Sequence, residues 1–249
     1  QRPNPLYQKV KDLIDSGELG ELRRSNWIIT NWYRSQSYYN SGGWRATWKG
    51  EGGGVLLNQD PHQLDLWQWL VGMPVRMRAF CQFGKHRDIE VENDVTAYAE
   101  YANGATGVFI TTTAEAPGTN RLEITGDRGK VVVEEGRLRF WRLRESEPEF
   151  NARWQNGFGE PECWEVIIPT PPESSEHHVV TANFCDAVLH GKPLIAPGTD
   201  GIRGLTLSNA MHLSTWTDDW VNLPFDEALF KKLLDERIAT SVEKQVESK

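Results

Sequence analysis

The sequence predicts an α+β protein in which helices cover one face of a large, mostly antiparallel β-sheet. From residue 75 to residue 143, short runs of alternating apolar and polar residues are separated by turn signals, the pattern of an antiparallel meander of at least five strands. Segments with apolar residues at helical spacing flank this region on both sides. The second face of the meander carries Thr, Glu, Tyr and Arg, so it is expected to be open to solvent or to a symmetry mate.

The sequence of the N-terminal part predicts two helices, a strand and a long loop. Residues 5–16 form the first helix, because Pro5 suits a first turn, apolar residues recur at helical spacing and Gly17 ends the pattern. Residues 22–33 are rich in aromatic and β-branched residues, as expected of a strand. Residues 34–54 form a polar loop with glycines and aromatics, a usual location for a site, and residues 61–71 form a short helix.

The sequence after residue 74 predicts the strands of the meander, followed by more helices. Asn103-Gly104 is the signal of a two-residue hairpin turn, and another turn is expected at Gly126–Gly129. We therefore expect a single domain with a linker helix, a sheet core, an irregular segment and closing helices, at residues 1–21, 22–144, 145–175 and 176–249 respectively. The closing helices are predicted at 176–190, 200–220 and 225–247.

Composition restricts the class of protein. The 249 residues carry a net charge of -8, which disfavours binding to nucleic acid or to an anionic membrane. The three cysteines, Cys81, Cys163 and Cys185, form no CxxC pair, so we expect reduced thiols and a cytoplasmic protein without a cysteine metal site. No apolar run is long enough to span a bilayer. The chain begins at Gln1 and not at Met, so we expect a partial sequence.

A phosphate cradle is not recognisable in the sequence. A dinucleotide fold needs a strand, a G-x-G-x-x-G turn and a helix, so that the pyrophosphate can bind helix amides. The glycines at 50–54 and at 198–204 both fail this spacing. There is also no P-loop, no H-E-x-x-H and no G-x-S-x-G. We expect no dinucleotide to bind this chain alone.

One segment, residues 52–65, has a chemical pattern. Asp60 and Gln63 predict an N-cap and a capping box for the helix that begins at Pro61, so a cap is favoured over a catalytic acid for Asp60. His62 falls in the first turn, where the positive helix end disfavours imidazolium and leaves a neutral base for an alcohol proton. Asp65 could orient His62 or bind a hydroxyl. The alternative is that these charges only complement the helix dipole.

Aromatic residues are frequent in the loop before this segment. Eleven tryptophans is a high number, and their faces suit the apolar faces of sugar rings, although packing in the core is the competing interpretation. Polar neighbours such as Arg34 and Arg45 suit hydroxyls. His177-His178, after Ser174-Ser175, could indicate a metal, but adjacent side chains point in different directions and we expect no metal site.

The segment GGGVLLNQDPHQLDLWQWLVGMP resembles the C-terminal-domain motif of the Gfo/Idh/MocA oxidoreductases. The resemblance continues in the same order along nearly the whole chain, including the strand pair around Asn93-Asp94 and the helix at Asn183-Phe-Cys-Asp-Ala-Val. It implies an open-faced sheet domain of the dihydrodipicolinate-reductase-like type. It further implies that an N-terminal Rossmann domain, absent from this sequence, binds NAD or NADP and that the substrate is a sugar or polyol.

The resemblance also implies roles for individual residues. The family typically uses a lysine, an aspartate and a histidine four residues later. His62 matches the histidine, whereas Asn58 stands where the aspartate is usual, and the lysine would precede Gln1. Trp44 and Arg45 resemble a loop element near the cofactor, and Arg34 and Tyr39, with Asp65, are expected substrate contacts. A homodimer or homotetramer through the sheet face is expected.

The sequence is also compatible with two other functions. The chain could be a stand-alone carbohydrate-binding or dimerisation module. It could also belong to a relative that uses NAD transiently to cleave glycosides, because an asparagine at position 58 can hold a hydroxyl but cannot accept a proton.

Overall fold

The structure is a computed structural model that describes residues 1–170 and 176–242. Its helices are α1 (Pro5–Asp15), α2 (Gln36–Tyr39), α3 (Val55–Asn58), α4 (Pro61–Val71), α5 (Glu147–Arg153), α6 (Glu176–His190), α7 (Gly201–Thr217) and α8 (Glu227–Thr240). Its strands are β1 (Leu22–Ile29), β2 (Arg76–Phe83), β3 (Glu92–Glu100), β4 (Thr106–Thr112), β5 (Asn120–Gly126), β6 (Gly129–Glu134), β7 (Arg137–Leu143), β8 (Cys163–Val166) and β9 (Val221–Asn222).

The strands form a nine-stranded sheet with the order β8-β7-β6-β5-β1-β4-β3-β2-β9. The pairs of β2 with β3 and β9, of β3 with β4, of β6 with β5 and β7, and of β7 with β8 are all antiparallel. The predicted α+β class with a mostly antiparallel sheet is therefore confirmed. By its contacts the chain divides into two compact units, which are described in turn.

The first unit comprises Gln1–Asn26, Leu66–Gly72 and Arg121–Gly201. Its first helix, α1, begins where Asn4 accepts a hydrogen bond from the Leu6 amide at 3.0 Å, and it buries Val10 completely. The turn between β5 and β6 lies against the chain that follows α1. A Cβ on Gly126 would lie 2.0 Å from the Leu19 carbonyl oxygen, so only glycine permits this approach.

The prediction that residues 145–175 are irregular is wrong in two places. Helix α5 begins at a capping box, in which the Glu149 amide donates to the Ser146 hydroxyl and the Ser146 amide donates to the Glu149 carboxylate at 2.9 Å. Strand β8 pairs with β7, with Glu165 opposite Trp141. Three of the four β8 residues are exposed, so this strand has no alternation that a sequence pattern could reveal. Residues 171–175 of the predicted segment lie outside the described residues.

The second unit comprises Trp27–Asp65, Met73–Asn120 and Ile202–Lys249. The predicted hairpin between β3 and β4 is confirmed, but its loop has three residues between the paired Tyr101 and Ala105, with Gly104 at a φ of 83°. The predicted loop at 34–54 contains the short helix α2, and the predicted strand at 22–33 ends at Ile29. The predicted C-terminal helix is found as α8, and residues 243–249 lie outside the described part.

One edge of the sheet is closed by side chains. Strand β9 pairs with only two residues of β2, namely Arg76 and Met77. Farther along β2, the Ala79 amide donates to the Ser214 hydroxyl at 3.0 Å, and the Cys81 amide donates to the Thr215 hydroxyl at 2.9 Å. Helix α7 therefore satisfies backbone donors of β2 that would otherwise stay open.

The turn at Gly126 yields a test of the fold. Because an added Cβ would collide with the Leu19 carbonyl oxygen, Gly126→Ala should lower the free energy of unfolding by about 1–3 kcal/mol, the usual effect of overpacking. Urea denaturation followed by circular dichroism measures this. Gly157→Ala is the matched control, since a Cβ there meets nothing within 4 Å. Equal midpoints for the two variants would contradict the described turn.

Candidate functional site

The glycine-rich segment before α3 is held by a buried carboxylate. Glu92, on β3, is fully buried and accepts hydrogen bonds from the Gly54 amide at 2.8 Å and from the Leu56 amide at 3.0 Å. Hydrogen bonds from backbone amides to a carboxylate are strong in a dry interior. Glu92 thereby fixes the position of the residues that lead to Asn58.

His212 of α7 lies against the same carboxylate. Its Nε2 is 2.8 Å from Glu92 Oε2, although it is not aligned as a hydrogen bond, and its Nδ1 is 3.0 Å from the Ser208 carbonyl oxygen. When the imidazole is protonated, this contact becomes a buried ion pair. A Cβ on Gly54 would lie 1.9 Å from the Glu92 carbonyl oxygen, so glycine is required where the segment meets β3.

Asn58, the last residue of α3, is exposed and its amide group is oriented from both sides. Its Oδ1 accepts from the Tyr38 hydroxyl at 3.2 Å and from Gln59 Nε2 at 2.7 Å. Its Nδ2 donates to Glu51, whose second oxygen accepts from the Ala46 amide at 2.6 Å. An ionised aspartate at position 58 could not donate to Glu51 and would repel it.

Tyr38 connects Asn58 to two arginines. Arg45 Nη1 donates to the Tyr38 hydroxyl at 2.9 Å, and the Arg45 guanidinium stacks 4.7 Å from the Tyr38 ring and 4.5 Å from the half-exposed Trp44 ring. The Arg34 guanidinium lies 5.1 Å from the Tyr38 ring. Hydrogen bonds and stacking thus join Arg34, Trp44, Arg45 and Asn58, four of the residues expected from the sequence.

Tyr39 packs edge-on against Tyr38, with 5.2 Å between the ring centroids, and its own ring is buried in the core. Its ring is buried with Trp48 and Val91, and its hydroxyl is 2.8 Å from Thr113 Oγ1. Burial raises the pKa of Tyr39, while the hydrogen bond with Thr113 and the nearby arginines lower it. Of the two adjacent tyrosines, Tyr38 is the one in contact with Asn58.

The two remaining expected residues lie on the next helix. His62 is exposed in the first turn of α4, four residues after Asn58, and Asp65 is half-buried one turn later. Sequence reasoning missed Tyr38, Glu51 and Glu92 as members of the site. No sequence signal distinguishes Glu92, because it begins β3 beside the polar residues Asn93 and Asp94.

The predicted cap of α4 is wrong. Asp60 is fully buried, and neither of its carboxyl oxygens, nor Oε1 of Gln63, has a hydrogen-bond partner among the described residues. The chain enters α4 directly from α3, with the Asp60 amide bonded to the Val55 carbonyl, so the side chain points inward. Burial raises the pKa of Asp60 to about 7, the Glu92 charge adds to this rise, and the nearby Thr111 hydroxyl lowers it.

No group of three His, Cys, Asp or Glu side chains among the described residues is placed to hold a metal ion. No described helix is long and apolar enough to cross a membrane.

Asp60 makes stability depend on pH. A carboxyl whose pKa is higher in the folded state binds more protons there, so stability falls as pH rises between the unfolded and folded values. With a folded pKa of about 7, the free energy of unfolding should fall by up to roughly 4 kcal/mol between about pH 4 and pH 7. Asp60→Asn should flatten this slope in urea titrations, whereas Asp12→Asn, at the surface of α1, should leave it unchanged. The same slope in Asp60→Asn as in the wild type would contradict the assignment.

The sequence model of the GFO/IDH/MocA C-terminal domain matches residues 7–132, just over half of the chain. No curated protein matches the chain in sequence.

Solved structures with the same fold include three dehydrogenases. The WlbA dehydrogenase from Chromobacterium violaceum, in complex with NADH and UDP-GlcNAcA, has 27% identity and a TM-score of 0.73, with 90% of this chain and 61% of that chain covered. WlbA from Bordetella pertussis, with the same two ligands, has 24% identity and a TM-score of 0.71, with coverage of 91% and 62%. A levoglucosan dehydrogenase in complex with NADH has 20% identity and a TM-score of 0.68, with coverage of 89% and 64%.

This chain therefore spans less than two thirds of the length of these structures. The match of the sequence model to more than half of the chain decides the family. The chain belongs to the GFO/IDH/MocA family, and the matched region is the C-terminal domain of that family.

Proposed function

We propose that the chain is the substrate-binding domain of an NAD(P)-dependent oxidoreductase acting on a sugar, a polyol or a related carbonyl compound. The observation that carries the proposal is the exposed Asn58 amide, oriented by Tyr38, Gln59 and Glu51, with the exposed His62 four residues later. The WlbA and levoglucosan dehydrogenase structures, which contain NADH, support it. Alone, the chain is expected to be catalytically silent.

In this proposal His62 moves the proton of the reacting alcohol. A neutral imidazole in a first helical turn is a suitable base, because the positive helix end disfavours its protonated form. The Asn58 amide holds the hydroxyl, and Asp65 positions His62 or a second hydroxyl. The bound nicotinamide supplies the hydride chemistry. Trp44, which is 50% exposed, and Arg45 stacked on it fit the planar ring or phosphate of such a cofactor.

A nucleotide-binding domain would complete the site. On α6, Val180, Phe184 and Val188 are spaced four residues apart and form an apolar stripe, with exposures of 43%, 59% and 69% in the described structure. Such a stripe is typical of a covered surface. Since the solved relatives are longer chains that hold NADH, we infer that the missing Rossmann domain covers this helix.

The open sheet face is our candidate for self-association into a homodimer or homotetramer. Phe80 is 53% exposed with the Arg78 guanidinium 4.6 Å from its ring. Tyr98 is 38% exposed and packs edge-on with Trp220, with 5.9 Å between ring centroids. Aromatic and arginine side chains on one surface favour a protein partner. A cytoplasmic location, expected from the cysteines, completes the proposal.

The exposed Asn58 amide is also compatible with a second reaction. Its amide cannot accept a proton, so a relative that oxidises a sugar only transiently and releases a cleaved glycoside remains compatible with the site. Product release without a net change in nicotinamide absorbance would support this reaction over a dehydrogenase.

The role of His62 can be tested in the protein extended by its upstream nucleotide-binding domain. His62→Asn should lower kcat by about 100- to 10,000-fold, because it removes the proton acceptor. Absorbance of NADH with a panel of sugars and polyols provides the measurement. His86→Asn is the matched control: His86 is exposed at a positive φ of 60°, which asparagine tolerates.

Three outcomes separate the hypotheses. Activity that needs both the extension and His62 supports the proposal. Full activity of His62→Asn excludes His62 as the acid–base group. If the gene has a start codon immediately before Gln1, the oxidoreductase proposal fails and a sugar-binding or assembly module remains.

A further inference from the structure

Two backbone amides of the loop that leads towards α3 are bound by side chains distant in the sequence. Residues 44–51, which we call the site loop, contain neither helix nor strand. Within this loop the Trp48 amide donates to the Glu90 carboxylate at 3.0 Å, and the Lys49 amide donates to the Ser241 hydroxyl at 3.1 Å. All of these residues belong to the second compact unit. Side chains therefore supply acceptors that a helix or a strand ladder would otherwise provide.

Glu90 joins the site loop to the segment that follows α8. Its Oε2 accepts from the Trp48 amide and also from the Ser241 hydroxyl, the latter at 2.6 Å. Its Oε1 accepts from the Val242 amide at 2.7 Å, and its own amide donates to the Ala46 carbonyl at 3.1 Å. Hydrogen bonds to a carboxylate are stronger than those between neutral groups. One residue thus holds the loop at two places and the segment after α8 at two more.

The site loop also packs against α8 and adopts an unusual backbone conformation. Ala46 and Trp48 are buried in a cluster against which Leu234 and Ile238 of α8 pack. Ala46 is completely buried at a φ of 53°, a left-handed conformation that is uncommon for a residue with a side chain. Such a conformation persists only where the surrounding structure holds it. The bonds of Glu90 on either side of this residue provide that support.

The site loop reaches Asn58 by two routes. The Ala46 amide donates to one carboxylate oxygen of Glu51 at 2.6 Å, and the Asn58 amide donates to the other oxygen. Arg45 Nη1 donates to the Tyr38 hydroxyl at 2.9 Å, and this hydroxyl donates to Asn58 Oδ1 at 3.2 Å. A displacement of the loop around Ala46 would therefore disturb both the donor side and the acceptor side of the Asn58 amide.

We propose that Glu90 and Ser241 are positioning residues, which hold the site loop, and through it the Asn58 amide, in the geometry that the reaction requires. The inference rests on the proposed function, because it adds residues to the same site. Neither residue is required to contact the reacting sugar, since each acts through the backbone of the loop. The segment that follows α8 thereby becomes part of the site, although it is distant from Asn58 in the sequence.

The experiment combines hydrogen exchange, followed by mass spectrometry, with kinetics on the protein extended by its upstream nucleotide-binding domain. Glu90→Gln keeps the size of the side chain but replaces one of its two oxygen acceptors by a donor. Peptides that cover residues 44–51 should exchange at least about tenfold faster, whereas peptides from β4 should exchange as in the wild type. The kcat for reduction of NAD by the most rapidly oxidised sugar or polyol of the panel should fall by about ten- to a hundredfold.

A second pair of variants addresses Ser241. Ser241→Ala removes the hydroxyl that bridges Glu90 and the Lys49 amide, so it should change both readouts in the same direction by a smaller factor. Ser241→Thr retains the hydroxyl and should restore both readouts. Glu236→Gln is the matched control, because it removes the same charge from an exposed residue of α8 in the same compact unit and should change neither readout.

Three outcomes would overturn the inference. The first is unchanged exchange of residues 44–51 in Glu90→Gln. The second is faster exchange throughout β3 and β4 as well, which indicates general destabilisation. The third is faster exchange of the loop with an unchanged kcat. If the extended wild type oxidises no member of the panel, the proposed function fails, and the exchange result still decides whether Glu90 and Ser241 hold the loop.

Discussion

The buried carboxylate of Glu92 is the interaction on which the geometry of the site depends. Its bonds to the Gly54 and Leu56 amides fix the start of α3 against β3. Glycine at 54 follows, because the backbone there approaches β3 too closely for a side chain. His212 lies on the other side of the carboxylate. With this start fixed, α3 can present Asn58 at the surface, and α4 can present His62 one turn later.

The same arrangement favours asparagine over aspartate at position 58. Glu51 accepts hydrogen bonds from the Ala46 amide and from the Asn58 side chain. Aspartate would bring a second carboxylate to this position and remove the donor. Position 58 and position 51 are thus coupled, and a change in one is expected to require a change in the other.

The sequence predicted the fold class, the meander and most helices, because strand alternation and helical spacing are local signals. Strand β8 was not predicted, because its residues show no alternation between exposed and buried positions. The prediction that Asp60 caps α4 was wrong, because the capping rule considers only the local sequence. The turn between α3 and α4 directs the Asp60 side chain into the interior. The motif indicated Asn58 and His62 as candidate site residues, whereas Tyr38 and Glu51 become neighbours of Asn58 only when the loop folds. The choice of Tyr39 over Tyr38 also depended on which of two adjacent rings enters the core.

The hydroxyls that α7 offers to β2 have a consequence for self-association. An incoming strand from another molecule would need the amides of Ala79 and Cys81, and both are already engaged by Ser214 and Thr215. Growth by strand addition is therefore blocked along this border. A copy that approached this stretch of β2 would first have to displace two side-chain hydrogen bonds, so edge-to-edge assembly into a fibre is disfavoured there.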